Sequence, residues 1–83
     1  MAEPEPDLLH YVEAIERRLT LLQGREHVLS PHDFDLARRW QRAGVSLATI
    51  LEALEQARAA GDSHLSLAFV ARRVEARHKR RPL

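Results

Sequence analysis

The residues most suited to chemistry are basic side chains near the end of the chain. Arg73, Arg77 and Arg81 recur at intervals of four, so a continuing helix would place them on one face. Three further basic residues flank this series: Arg72, Lys79 and Arg80. Such side chains neutralise phosphates or carboxylates, and their binding to phosphate is salt-sensitive and largely independent of base sequence. The pattern predicts contact with DNA or with an acidic protein partner.

Arginines in the middle of the chain extend this basic set. Arg38, Arg39 and Arg42 fall mostly outside the apolar stripe of a predicted helix, so they form a second candidate contact group. The formal charge is polarised as well. Residues 1–30 carry three arginines against six acids, whereas residues 61–83 carry six basic residues against two acids. This gradient indicates either a surface for an anionic partner or a solvated basic tail.

A cluster of possible metal ligands lies around the start of the second predicted helix. It contains His27, His32, Asp33 and Asp35. The two histidines straddle a loop and a helix start, whereas paired zinc ligands on a helix share one face. Asp33 also has a simpler role, because a carboxylate in the first helical turn is favoured by the helix dipole. We therefore expect exposed loop histidines and no metal or other cofactor.

The sequence contains no pattern typical of a catalytic site. Its three glycines stand alone rather than in a phosphate-binding loop, and no nucleophile–base motif is visible. There is no cysteine, and no apolar run approaches the roughly 18 residues of a membrane span. We expect a non-enzymatic protein of the cytoplasm with no membrane insertion.

Three serines with the spacing of helix N-caps divide the chain into four helices. Ser30, Ser46 and Ser66 each follow an apolar residue, and a second apolar residue lies four positions after each serine. Asp7 supplies a similar start for the first helix. Glycine stops follow the first three helices: Gly24, Gly44 and Gly61. The predicted helices span about 7–23, 31–43, 47–60 and 66–80.

These elements predict an all-α fold, a small bundle of four helices joined by short loops. We expect a single helical domain over 7–80, with a disordered leader at 1–6 and a tail at 81–83. The N-terminal helix should pack across a core of three helices. In the second helix, Phe34 and Trp40 should face inward, with Trp40 as the largest anchor of the core.

The segment from Ala43 to Ile50 resembles the turn of a helix-turn-helix motif. Gly44, Val45 and Ile50 occupy the glycine and apolar positions of that turn. Trp40 stands where the motif usually has a small residue, and the start of the third helix offers no Arg, Lys, Asn or Gln for base contacts. The alternative is an ordinary corner between two helices.

A longer segment, from Leu29 to about Lys79, resembles the helical DnaD-type domain of bacterial replication-initiation proteins. The matching residues are Leu29, Ser30, Trp40, Gly44, Ile50, Ala53 and Leu54. In the final helix, Phe69 and Val70 replace the tyrosine–isoleucine pair of that family, and the second tryptophan is missing. The segment is also similar to short uncharacterised bacterial helical proteins. The resemblance to the DnaD-type domain implies an all-α fold and a function associated with DNA.

Two functional hypotheses follow from these observations. The first is a non-enzymatic accessory module that binds DNA through the basic C-terminal helix. The alternative is a subunit for protein–protein interaction or assembly, including a homo-oligomer, that uses the amphipathic first helix and the basic fourth helix. Leu9 and Leu21 favour the alternative, because they lie off the main apolar stripe of the first helix.

Overall fold

Four helices follow one another in the computed structural model, which describes residues 7–62 and 64–80. They are α1 (Leu8–Gln23), α2 (Pro31–Arg42), α3 (Leu47–Ala59) and α4 (Leu67–Arg80). The described ranges contain no strand, and the all-α prediction is confirmed. The observed helix ends lie within one residue of the predicted ends. The predicted leader at 1–6 and tail at 81–83 lie outside the described residues.

Each helix is capped at its N-terminus by the residue that the sequence indicated. The Asp7 carboxylate accepts the His10 N–H at 3.0 Å, and the Ser30 hydroxyl accepts the Asp33 N–H at 3.1 Å. Ser46 and Ser66 cap α3 and α4 in the same way, through the N–H groups three residues later. These contacts satisfy N–H groups that have no partner within the helix, so the predicted caps are confirmed.

A glycine in the left-handed region ends α2 and turns the chain towards α3. Gly44 has a φ of 82°, which carries little steric penalty only because glycine lacks a Cβ atom. The Val45 N–H donates to the Trp40 carbonyl at 2.9 Å, and the Gly44 N–H donates to the Gln41 carbonyl at 3.2 Å. This pair of bonds is a Schellman motif, and it fixes the short turn at 43–46.

Each of the four helices packs against two others. α1 and α4 both contact α2 and α3, so all four helices line one core. α1 is therefore one of the four helices that surround the core, whereas we expected it to lie across a core of three helices. The core includes Trp40, as predicted, and the fully buried Tyr11, Ile15, Ile50, Leu54 and Val70.

The prediction that Phe34 faces the core is wrong. Its relative exposure is 42%, whereas Ala37 and Trp40 of the same helix are buried. Asp33 occupies the inward position instead, and Phe34 lies about 100° further round the helix. The buried stripe of α2 therefore consists of Asp33, Ala37 and Trp40, at helical spacings of four and three.

Hydrogen bonds between elements define two ends of the bundle. At the turn end, the Tyr11 hydroxyl donates to the Val45 carbonyl at 2.8 Å, so α1 starts beside the turn at 43–46. At the opposite end, which we name the connector end after the connector at 25–29 between α1 and α2, Gln23 Nε2 donates to the Leu65 carbonyl at 2.8 Å. α1 therefore finishes beside the start of α4. Consecutive helices consequently run in opposite directions, as short loops require.

Candidate nucleic-acid interface

The predicted arginine series on α4 is partly neutralised by neighbouring acids. Arg77 Nη1 lies 3.1 Å from Glu52 Oε1 of α3, and Arg73 Nη2 lies 3.7 Å from Asp62 Oδ2 in the following loop. Both arginines flank the buried Val70 and Val74 on the side of α3, which explains why they reach those acids. The third member of the series, Arg81, lies outside the described residues.

Two of the three arginines predicted on α2 are also paired. Asp35 accepts a hydrogen bond from Arg38 and lies 3.2 Å from the Arg39 side chain. The hydrogen bond from Arg38 lowers the pKa of the Asp35 carboxyl below its ordinary value, and the charges of Arg38, Arg39 and His32 act in the same direction. Asp35 therefore offsets part of the positive charge on this side of α2.

The Asp35 carboxyl should titrate at a lower pH than an isolated aspartate, whose pKa is about 3.9. Folding lowers this pKa, so the ionised Asp35 carboxylate stabilises the folded protein at a pH above the pKa of the unfolded chain. This stabilisation is lost as the pH falls through the pKa of the folded protein. An NMR titration of the side-chain carboxyl measures the midpoint. It should rise towards the ordinary value in Arg38→Gln, and an unchanged midpoint would refute the assigned cause.

Four of the predicted basic residues have no acidic partner among the described residues: Arg42, Arg72, Lys79 and Arg80. We call these four residues the cationic surface. All four are exposed. Arg72 and Lys79 are seven residues apart, which places them on the same face of α4. The only acid of α4, Glu75, forms no ion pair with any described residue.

Three members of the cationic surface share one end of the bundle. Arg42 is the last residue of α2, while Lys79 and Arg80 are the last two residues of α4. α2 and α4 pack together and their first turns meet, so both helices run from the connector end towards the turn end. The turn end therefore carries a concentration of positive charge that the fold does not neutralise internally.

The carboxylate of Asp33 serves the fold instead of a metal. Asp33 is only 4% exposed, and its two oxygens accept the N–H groups of Leu67 and Ala68 at 2.9 and 3.2 Å. It caps α4 from a residue on α2, a role that the sequence analysis missed. The described residues hold no group of three or more side chains suited to a metal ion, and His32 is exposed.

The first half of α3 lacks the surface that a DNA-recognition helix presents. Its exposed residues there are Ala48 and Glu52, while Thr49 is buried. Glu52 pairs with α4, and Glu55 pairs with Arg18 of α1 at 2.8 Å. This half of α3 therefore presents no free polar side chain suited to base contacts, so the turn at 43–46 is better described as a corner between helices than as a recognition motif.

Comparisons with known proteins add no functional information. No protein-family model matches the chain, and neither the curated proteins nor the solved structures contain a significant match. Among the described helices, none combines the length and apolar character needed to cross a bilayer. The function must therefore be inferred from the charges and contacts of this chain alone.

Proposed function

We propose that this protein is a non-enzymatic accessory module that binds duplex DNA through its cationic surface. The observation that carries the proposal is the grouping of Arg42, Lys79 and Arg80 at the turn end without acidic partners. Cations that the fold leaves unneutralised can bind phosphates without first breaking an internal ion pair. Arg72 continues the surface along the outward face of α4.

The arrangement favours contacts with the duplex backbone over stacking on unpaired bases. Proteins that bind single strands combine a cationic groove with exposed aromatic side chains. The exposed aromatics among the described residues are Phe34 and Phe69, in the first turns of α2 and α4. Phe69 is ten residues from Lys79, or about 15 Å along the helix. The strongest positive charge and the aromatic rings therefore lie at opposite ends of the bundle.

Binding should be micromolar at low salt and should weaken steeply as salt is added. Each phosphate contact contributes about −0.9 to the slope of log K against log salt concentration, so three or four contacts predict a slope of about −3 to −4. Affinity should then fall by about 40- to 150-fold between about 50 and 200 mM salt. Fluorescence anisotropy of a labelled duplex measures this dependence, and duplexes of different sequence should behave alike.

Replacing Lys79 and Arg80 by glutamine should reduce the salt slope by about 2 and weaken binding at low salt by about tenfold. The matched control is Arg17→Gln with Arg58→Gln, which removes the same charge from exposed positions without acidic partners away from the turn end. Circular dichroism checks that helicity is retained in both variants. Equal losses in the two variants would show that only net charge matters, which would contradict the proposed site.

A further inference from the structure

The chain enters α1 at the same end of the bundle that carries the cationic surface. The Tyr11 hydroxyl donates to the Val45 carbonyl at 2.8 Å, so the first turns of α1 lie beside the turn at 43–46. Arg42 is the last residue of α2 and directly precedes that turn, and α1 packs against α2. The residues that lead into α1 therefore approach the turn end, where Arg42 has no acidic partner among the described residues.

The sequence that leads into α1 is acidic. Residues 1–6, which lie outside the described residues, contain Glu3 and Glu5 and no lysine or arginine. We call residues 1–6 the acidic segment. Asp7 follows them, but its carboxylate caps α1 by accepting the His10 N–H at 3.0 Å. Glu3 and Glu5 are therefore the acids that could neutralise cations at the turn end.

We propose that the acidic segment is an autoinhibitory element, which binds to the cationic surface at Arg42 and competes with DNA for it. Its carboxylates then take the place of the phosphates that the cationic surface binds in the complex with DNA. This regulation rests on the proposed function, whereas the contact between the acidic segment and Arg42 can be measured without DNA. Two observations support this occupant: the complementary charge and the point at which the segment joins the fold.

The acidic segment is long enough to reach Arg42. The axes of packed helices such as α1 and α2 lie about 8–10 Å apart. Glu3 is four residues from Asp7, and an extended chain spans about 3.3 Å per residue, which gives a reach of about 13 Å before the side chains are counted. Contact therefore requires no change in the described helices.

The position of the segment in the same chain favours it over a separate acidic partner. A short tether holds the two groups together at an effective concentration in the millimolar range. Pro4 and Pro6 also restrict the unbound conformations of Glu3 and Glu5, because a residue before proline disfavours the helical region. Individual surface ion pairs are weak and are screened by salt, so the inhibition should be modest and confined to low salt.

The contact should be visible by NMR in the protein without DNA. At about 20 mM salt, the backbone signals around Arg42 should differ between the wild type and the variant Glu3→Gln with Glu5→Gln, and the difference should vanish at about 500 mM salt. Identical signals around Arg42 at low salt would overturn the proposal. A difference that grew with protein concentration would place the segment on a second copy and would also contradict the contact within one chain.

The matched control for this comparison is Glu13→Gln with Glu26→Gln. These substitutions remove the same charge from exposed residues that form no ion pair among the described residues. The control should leave the signals around Arg42 as they are in the wild type. Equal changes in the two variants would show an effect of net charge alone, which would contradict a contact at Arg42. Circular dichroism confirms that the compared variants are folded.

Fluorescence anisotropy with a labelled duplex then tests the competition. At low salt, Glu3→Gln with Glu5→Gln should raise the affinity for DNA about three- to tenfold, and the control should raise it less than about twofold. Equal affinities of the two variants would overturn the autoinhibition. Absence of duplex binding by every variant would overturn the proposed function and the regulation with it, whereas the NMR comparison would still decide whether the acidic segment binds at Arg42.

Discussion

Replacement of Asp33 by alanine should lower the free energy of unfolding by about 3 kcal/mol. The carboxylate is buried and accepts two N–H groups at the start of α4, at 2.9 and 3.2 Å. Hydrogen bonds to a charged group contribute about 1.5–3 kcal/mol each, and removing an N-cap costs about 0.5–2 kcal/mol. The substitution would leave the Leu67 N–H without its partner in a buried position. Stability falls because α4 keeps only the Ser66 cap and loses the two Asp33 hydrogen bonds that link its first turn to α2.

Urea denaturation followed by circular dichroism measures this effect. The matched control is Asp35→Ala, two residues along the same helix, where the carboxylate is partly exposed and pairs with arginines at the surface. Surface ion pairs contribute about 0–1 kcal/mol, so this variant should change stability by less than about 1 kcal/mol. Similar losses for Asp33→Ala and Asp35→Ala would show that the α2–α4 contact does not stabilise the bundle.

Replacement of Leu54 by alanine should be the second strongly destabilising change, costing about 3–4 kcal/mol. Leu54 is fully buried on α3, the helix that packs against both α1 and α4. The loss combines the transfer of the removed methyl groups with the cavity that remains in a close-packed core. For a domain of 83 residues, such a loss is a large part of the total stability.

The control for this prediction is the same substitution at Leu9. Leu9 is 66% exposed, so Leu9→Ala should change the free energy of unfolding by less than about 0.5 kcal/mol. Trp40 is retained in both variants, and the shift of its fluorescence on unfolding reports the transition. Comparable midpoints and slopes for Leu54→Ala and Leu9→Ala would contradict the assigned core.

Local sequence signals predicted the helices because the interactions that start and end helices are local. Ser30, Ser46 and Ser66 each bond to an N–H only three residues later, and Gly44 closes a motif within six residues. The periodicity of apolar residues also placed Trp40 in the core correctly. These features depend on spacing along the chain, which the sequence states directly.

Contacts between distant segments were not predictable in the same way. Asp33 has the local signature of a residue in a first helical turn, and its bonds to α4 span 34 residues or more along the chain. Its inward position also displaced Phe34, which the same apolar spacing that placed Trp40 had assigned to the core. An exposed phenylalanine beside a buried aspartate inverts the usual preference, so only the fold reveals it.

The sequence identified the basic residues of the candidate interface but not the ion pairs that some of them form. The sequence identified the basic residues, yet the spacing of Arg73 and Arg77 suggested a free face that in fact pairs with acids of α3 and the adjoining loop. Which cations remain without a partner depends on the neighbours of each helix. The structure thus divides the described members of the predicted set into residues paired with acids and the four of the cationic surface.

The most direct test of the DNA-binding proposal is an NMR titration of the labelled protein with a short duplex at low salt. Backbone signals at the ends of α2 and α4, around Arg42 and Lys79, should shift most, and the connector at 25–29 should change little. The shifts should disappear as salt is raised, because the contacts are electrostatic. Shifts centred on the connector, or none at low salt, would contradict the proposal that the cationic surface binds DNA.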